Sequence, residues 1–139
     1  MNKENKIFIT GGAGYIGSTL VPILLNKGFK VTVLDSLIFN QPALLDCCIN
    51  PNFEFIQGDI CDHRIVNELI SNANIVIPLA AIVGAPACKR NPSLTKLVNY
   101  EAHMNIIDSI SEDQKVLFPT TNSGYGIGQK DKYCTEETP

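Results

Sequence analysis

Thr10-Gly11-Gly12-Ala13-Gly14-Tyr15-Ile16-Gly17 holds a G-x-G-x-x-G spacing at Gly12, Gly14 and Gly17, and G-x-x-G-x-x-G when counted from Gly11. Glycines spaced in this way suit the gripping of a diphosphate by main chain. One permits a tight turn, another removes the Cβ that would block a pyrophosphate, and Gly17 would let a helix press against a strand. The N–H groups at the start of that helix then bind phosphate oxygens, so no lysine is needed. Three glycines alone are a weak signal, and their context decides. Lys6-Ile7-Phe8-Ile9-Thr10, just before them, is a short apolar run of β-favouring residues. From Gly14 the spacing turns helical, with Ile16, Leu20, Ile23 and Leu24 on one face and a stop at Asn26-Lys27-Gly28. The glycines thus fall at a strand-to-helix corner, where this spacing binds dinucleotides.

The second group able to do chemistry is Asp35, at the end of the next apolar run, Lys30 to Leu34. A carboxylate there can accept hydrogen bonds from both adenosine ribose hydroxyls. It would repel a 2′-phosphate, and no Arg or Lys occurs from Ser36 through Asn52 to offset that repulsion. The residues therefore favour NAD over NADP. An S-adenosylmethionine site uses a similar glycine turn and strand-end acid, and these residues alone leave it open.

The elements that must position these groups alternate along the chain. After the first two strands, Phe53 to Ile56 reads as a third ending near Gly58-Asp59, Asn74 to Leu79 as a fourth and Lys115 to Pro119 as a fifth. Helical candidates lie between them: a weak one near Pro42 to Cys48, one from Asp62 to Ile70, and a long one from about Pro92 to Ile110. Pro22, inside the first helix, is expected to bend it or loosen its first turns. Strand alternating with helix predicts an α/β fold, a Rossmann-type doubly wound parallel sheet with helices on both faces. The segment Ile82 to Arg90 reads as a loop facing a substrate.

The totals agree with one soluble domain. The chain has 139 residues, 45% of them apolar and 18% charged, with a formal charge of −3. Its eleven Lys and Arg are scattered, so no basic stripe stands ready for nucleic acid. No apolar stretch reaches the roughly 18 residues that cross a bilayer. Met1 to Lys6 is polar and lacks a signal core, which points to the cytosol. Cys47, Cys48, Cys61, Cys88 and Cys134 match no disulfide framework or zinc spacing and read as reduced, mostly buried thiols. His63 and His103 have no ligand partner at metal spacing and read as structural or solvent-facing, so no metal is expected.

With the glycine turn, Asp35, Gly58-Asp59-Ile60, Leu79-Ala80-Ala81 and Thr120-Thr121-Asn122-Ser123-Gly124-Tyr125-Gly126 in order, the chain resembles the extended short-chain dehydrogenases/reductases. More narrowly, it resembles the NAD-dependent nucleotide-sugar epimerases and dehydratases. The resemblance implies NAD contacts at Gly11, Gly12, Gly14, Tyr15, Ile16, Gly17 and Asp35. It implies that Asp59 accepts from the adenine amino group with Ile60 packed on the ring, although a turn or N-cap carboxylate fits Asp59 as well. Leu79, Ala80 and Ala81 would let the cofactor run close to the sheet, and Asn99 would anchor water or backbone on the cofactor side. Pro78 stands where many members have His, which removes a donor. Thr121 falls where the family carries a catalytic Ser or Thr, with Thr120 and Ser123 close by. Asn122 and Ser123 replace the acid pair of the dehydratases, which favours epimerase-type chemistry on a nucleotide-sugar substrate.

One part of the family pattern is not met. Tyr-x-x-x-Lys, in which the tyrosine exchanges a proton with the sugar oxygen, is lacking: Gln129 follows Tyr125 at that spacing and Glu137 follows Tyr133. The motif would fall beyond Pro139, with the substrate-binding part and the helix that covers the fifth strand. The 139 residues are accordingly expected to be the cofactor-binding part, inactive alone and either marginally stable or reliant on a partner, with a homodimer left open. A non-catalytic NAD-binding module and a reductase or dehydratase of the same family are the alternatives.

Overall fold

The structure is a computed structural model that describes residues 6–121. Five strands form one parallel sheet: β1 (Lys6–Thr10), β2 (Lys30–Asp35), β3 (Phe53–Gln57), β4 (Ile75–Pro78) and β5 (Lys115–Val116). Their spatial order is β3-β2-β1-β4-β5. The chain steps outward from β1 in one direction, returns, and continues on the other side through β4. The order therefore reverses between β1 and β4, and in open α/β sheets the crevice beyond the strand ends at such a reversal takes the ligand.

Alternation along the central strands divides the core in two. Ile7, Ile9, Val31, Val33 and Ile77 face one side, where Val21 and Leu25 of α1 (Tyr15–Asn26) cover them with Leu44 and Cys47. Phe8, Leu34 and Val76 face the other side, under Val66 and Ile70 of α2 (His63–Ser71) and under Ala102 and Ile106. Each of the buried Val, Leu, Ile and Phe side chains among these contributes roughly 1.5–3 kcal/mol relative to an exposed one. Pro22 lies within α1, yet the helix continues to Asn26 and keeps Val21 and Leu25 buried on either side of it.

Several expectations need correction. The inward row of α1 is Gly17, Val21 and Leu25, flanked by Leu20 and Leu24, while Ile16 and Ile23 are 54% and 45% exposed. Close contact at Gly17, described below, rotates the helix away from the row that hydropathy alone selects. The weak helix near Pro42 is a 3-10 turn at Leu45–Ile49. The segment read as a loop contains a short helix, α3 (Ala85–Arg90). The long helix is present from Pro92 to Ser109 as expected, but a π-helical turn (Leu97–Glu101) interrupts its regular winding between α4 (Pro92–Lys96) and α5 (Ala102–Ser109). Of the described cysteines only Cys47 is buried; Cys48 is exposed and Cys61 and Cys88 are half-buried, all as free thiols.

β5 stops at Val116, short of the expected Pro119. Leu117 N–H still donates to the Val76 carbonyl at 3.0 Å. The next rungs need an N–H from Pro78 and one from Pro119, and proline has none. Beside this strand Ile107, Ile110, Val116 and Phe118 line an open apolar groove together with Ser111 and Glu112.

A methyl group at position 17 would overlap the main chain of Gly12. We expect Gly17→Ala to lower stability by about 1–3 kcal/mol, the cost of overpacking a tight contact. Urea unfolding followed by circular dichroism checks this, and a midpoint equal to that of the unmodified chain would show that α1 can shift without loss.

Candidate functional site

The glycines of the corner carry different loads. Gly11 leaves β1 with φ of 68°, the left-handed region that glycine enters freely. Its N–H donates to the Leu34 carbonyl at 2.8 Å, and a Cβ on it would lie 2.5 Å from the Cα of Ala80. It is a packing contact with the end of β4. Gly12 is pressed against Val33, whose Cγ1 would be 2.7 Å from an added Cβ. Gly17 meets the backbone of Gly12, with that residue's Cα 2.5 Å from where a Cβ would stand. Gly14 is exposed, and the one atom an added Cβ would approach within 4 Å is the Gly11 carbonyl oxygen, at 3.1 Å. Of the four, Gly14 is the one whose missing side chain opens onto solvent.

α1 begins at that residue. Gly14 is extended (φ −77°, ψ −172°), contributes no side-chain cap, and is followed by no acidic residue in the first turn. The first N–H groups of a helix have no intrahelical acceptor, and the helix dipole makes this end positive. Tyr15 is 95% exposed at the same corner.

Asp35 joins this corner to β2. One carboxylate oxygen accepts from Ala13 N–H at 2.9 Å and the other from Leu37 N–H at 2.8 Å. The acid thus holds the glycine turn with one oxygen and the loop after β2 with the other. A carboxylate offers about four lone-pair sites, so both oxygens can accept further bonds. A third tie runs from Gly58 N–H to the Asp35 carbonyl at 3.0 Å and fixes the end of β3 to the end of β2.

Beyond β3, Asp59 is exposed and one of its oxygens accepts from Cys61 N–H at 2.9 Å. Burial first, and then the neighbouring Asp59 carboxylate, push the Cys61 thiol up to about 11, so it stays protonated and weakly nucleophilic at neutral pH. Ile60 is 6% exposed and packs in the core with Phe8, Leu34 and Val66. Its side chain is occupied by the core, and little of it remains to meet an adenine ring.

At the end of β4, Leu79 N–H donates to the Thr10 carbonyl at 2.9 Å and Ala80 N–H to the Thr10 hydroxyl at 3.3 Å. Leu79 packs toward the α1 side of the sheet, Ala80 toward the α2 side, and Ala81 is exposed at the mouth. The fully buried Thr10 hydroxyl was not foreseen as part of the site, although a lone polar residue closing an apolar strand is a signal for it. The Ala13 and Leu37 N–H groups have no comparable signal, since their role depends on where Asp35 comes to rest.

Asn99, within the π-helical turn, binds backbone. Its side-chain amide donates to the Ile82 carbonyl and accepts from the Ile82 N–H, both at 2.8 Å. The Cys88 thiol also points at the Ile82 carbonyl, at 3.4 Å. His103 takes the structural of its two readings and is buried: its Nδ1 lies 2.9 Å from the Val98 carbonyl, and its ring meets Phe118 edge-on with centroids 5.4 Å apart. Because a carbonyl only accepts, Nδ1 carries the proton. His103 thus braces the segment that leads to Thr121, which is exposed and is the last described residue. Asn122, Ser123 and Tyr125 lie outside the described residues. Among the described residues no group of three or more His, Cys, Asp or Glu could hold a metal, and no helix is long and apolar enough to cross a membrane.

Residues 7–139 match the model of the NAD dependent epimerase/dehydratase family. The chain is 29% identical over 126 residues to UDP-N-acetyl-alpha-D-glucosaminuronate decarboxylase from Bacillus cytotoxicus, a match covering 90% of this chain and 39% of that enzyme. The UDP-Glc/GlcNAc 4-epimerase of Campylobacter jejuni superposes with a TM-score of 0.85 at 28% identity, over 97% of this chain and 42% of the epimerase. The NAD complex of Thermus thermophilus UDP-glucose 4-epimerase gives a TM-score of 0.79 at 26% identity, over 96% and 43% of the two chains. This chain therefore spans about two-fifths of the length of these relatives. With the parallel sheet, the glycine corner and a family match over nearly every residue, the chain belongs to the NAD dependent epimerase/dehydratase family.

Proposed function

We propose that this chain binds NAD at the corner between β1 and α1 and is the cofactor-binding part of an epimerase-type enzyme acting on a nucleotide-sugar. The observation that carries the proposal is Asp35: its carboxylate is fixed on Ala13 and Leu37 N–H groups and keeps acceptor capacity beside the open Gly14 corner. These residues fit a dinucleotide. The uncapped first turn of α1 would take the diphosphate and Asp35 the adenosine ribose, with Asp59 near the adenine. When bound, NAD supplies the hydride acceptor for transient oxidation of a sugar hydroxyl. Thr121 would hydrogen-bond the sugar oxygen and hold charge developing on it. Asn99, through Ile82, would set the loop beyond β4 against the substrate. The relatives named above act on UDP-sugars by their names, which supports that substrate class, and the lack of an acid pair at Asn122 and Ser123 favours epimerisation over dehydration.

Calorimetric titration of the chain tests the reading. Binding of NAD in preference to NADP is expected. Asp35→Ala should weaken NAD at least about tenfold, the worth of a hydrogen bond to a charged acceptor, and Asp35→Arg should shift preference toward NADP. NAD affinity unchanged in both variants would remove Asp35 from the site.

Gly14→Ala separates binding from folding. With a single 3.1 Å contact to accommodate, it should melt near the unmodified chain while losing NAD affinity. A variant that binds NAD normally would show that the diphosphate lies elsewhere.

Asn99→Leu should release the loop beyond β4 and speed amide hydrogen exchange at Ile82 by about tenfold, the loss of a net hydrogen bond of roughly 1 kcal/mol or more. Unchanged exchange at Ile82 would mean that other contacts hold the loop.

A further inference from the structure

The ladder between β4 and β5 cannot continue past Leu117. After the Leu117 N–H reaches the Val76 carbonyl, the next two rungs would have to come from Pro78 and Pro119, and neither has an N–H. Thr121 stands four residues beyond that last rung. Phe118, the first residue past it, is held by a side chain instead: its ring meets the His103 ring at 73°, the edge-on arrangement that aromatic pairs favour. The histidine is itself fixed. It lies 7% exposed in α5 beside the buried Ala102 and Ile106, and its Nδ1–H donates to the Val98 carbonyl. Val98 belongs to the π-helical turn, in which the Ala102 N–H reaches back five residues to Leu97.

We infer that His103 is a positioning residue for Thr121: its ring replaces the rungs that Pro78 and Pro119 withhold and sets the segment from Phe118 to Thr121 in place. The inference rests on the reading above in which Thr121 meets the sugar oxygen. A hydroxyl that holds charge developing on that oxygen must stay within about 0.5 Å of its working position. The chain between anchor and hydroxyl is suited to this. Pro119 has its own φ fixed by its ring, and a residue that precedes proline is confined to extended conformations, so a hold on the Phe118 ring is passed along stiff backbone toward Thr121. The helix also joins this segment to its neighbour. Asn99 and His103 are four residues apart and share one side of the helix; from there Asn99 holds Ile82 beyond β4 and His103 holds Phe118 beyond the adjacent β5.

The test is nuclear relaxation of the backbone amides in the full chain. His103→Asn keeps a donor for Val98 but has no ring; order parameters at positions 118 and 121 are expected to fall from about 0.85 to below about 0.6, with Val76 and Leu117 unchanged. His103→Phe keeps the ring edge and loses the donor, and is expected to keep both positions ordered. Phe118→Leu breaks the same contact from its half-exposed side and should reproduce the loss, so the effect is readable even if a histidine variant does not fold. A histidine that merely fills the core would disturb Ala102 and Ile106 instead. Order at 118 and 121 that is unchanged in Phe118→Leu, or that falls only together with Ala102 and Ile106, overturns the inference. UDP-glucose added to the NAD-saturated chain tests the Thr121 reading separately: a shift of the Thr121 methyl signal that weakens in His103→Asn and persists in His103→Phe supports both. If order at 118 and 121 follows the ring while UDP-glucose leaves that methyl unmoved, the sugar-oxygen reading fails and the hold of His103 on the segment stands. A methyl shift that is the same in every variant, at unchanged order, refutes the role of His103 and leaves that of Thr121.

Discussion

Helix α1 presses on the turn after β1 only because Gly17 has no side chain. Its backbone meets that of Gly12 at a separation that leaves no room for a Cβ on residue 17, and this contact fixes where the helix begins and which way it is turned. Once Gly17 points inward, the residues one and two turns on, Val21 and Leu25, fall on the face of Ile7, Ile9 and Val33. The start of the helix is then held over the end of β1, with its unpaired N–H groups at the Gly14 corner. The core on this side of the sheet and the anion-binding capacity of the corner therefore have one steric origin.

That constraint also explains how much of the molecule was legible beforehand. The strands were readable because Ile7 to Thr10, Val31 to Leu34 and Ile75 to Ile77 are apolar runs that stop at turn-forming or acidic residues. The face of α1 was not, since a hydropathy pattern weights Ile16 and Ile23 above Gly17, whereas close packing weights the absence of a side chain. β5 was read as too long because Pro78 and Pro119 terminate its ladder together, which is visible only once the register is known. The π-helical turn that carries Asn99 has no sequence signature, and the resemblance that sets Ile60 on a base gives no sign of its burial, which depends on tertiary packing. Asp35 was identifiable as a strand-end acid. Its bonds to Ala13 and Leu37 depend on tertiary structure and were not.

Those bonds matter to binding as well as to folding. A carboxylate that must also turn toward a ribose would lose rotamer freedom on meeting the ligand; here two N–H groups hold it already, at 2.9 and 2.8 Å. The entropy of ordering the acid is spent when the chain folds, which would leave more of each proposed ribose hydrogen bond to appear as affinity. The positive end of α1 nearby offsets the carboxylate's charge.

The strand ends are linked chiefly by main-chain bonds: Gly11 to Leu34, Gly58 to Asp35 and Leu79 to Thr10. Asp35 and the Thr10 hydroxyl add side-chain ties at the carboxyl ends of the strands. A cradle built this way tolerates replacement of most side chains, which accounts for a TM-score of 0.85 against an epimerase at 28% identity. The segments after β4 and β5 are different in kind. Ile82 is held by the Asn99 side chain, and Phe118 rests on the ring of His103. Where side chains set the geometry, substitution changes it. The cradle thus follows chiefly from backbone, whereas the segments around Ile82 and at Phe118 take their geometry from the Asn99 and His103 side chains.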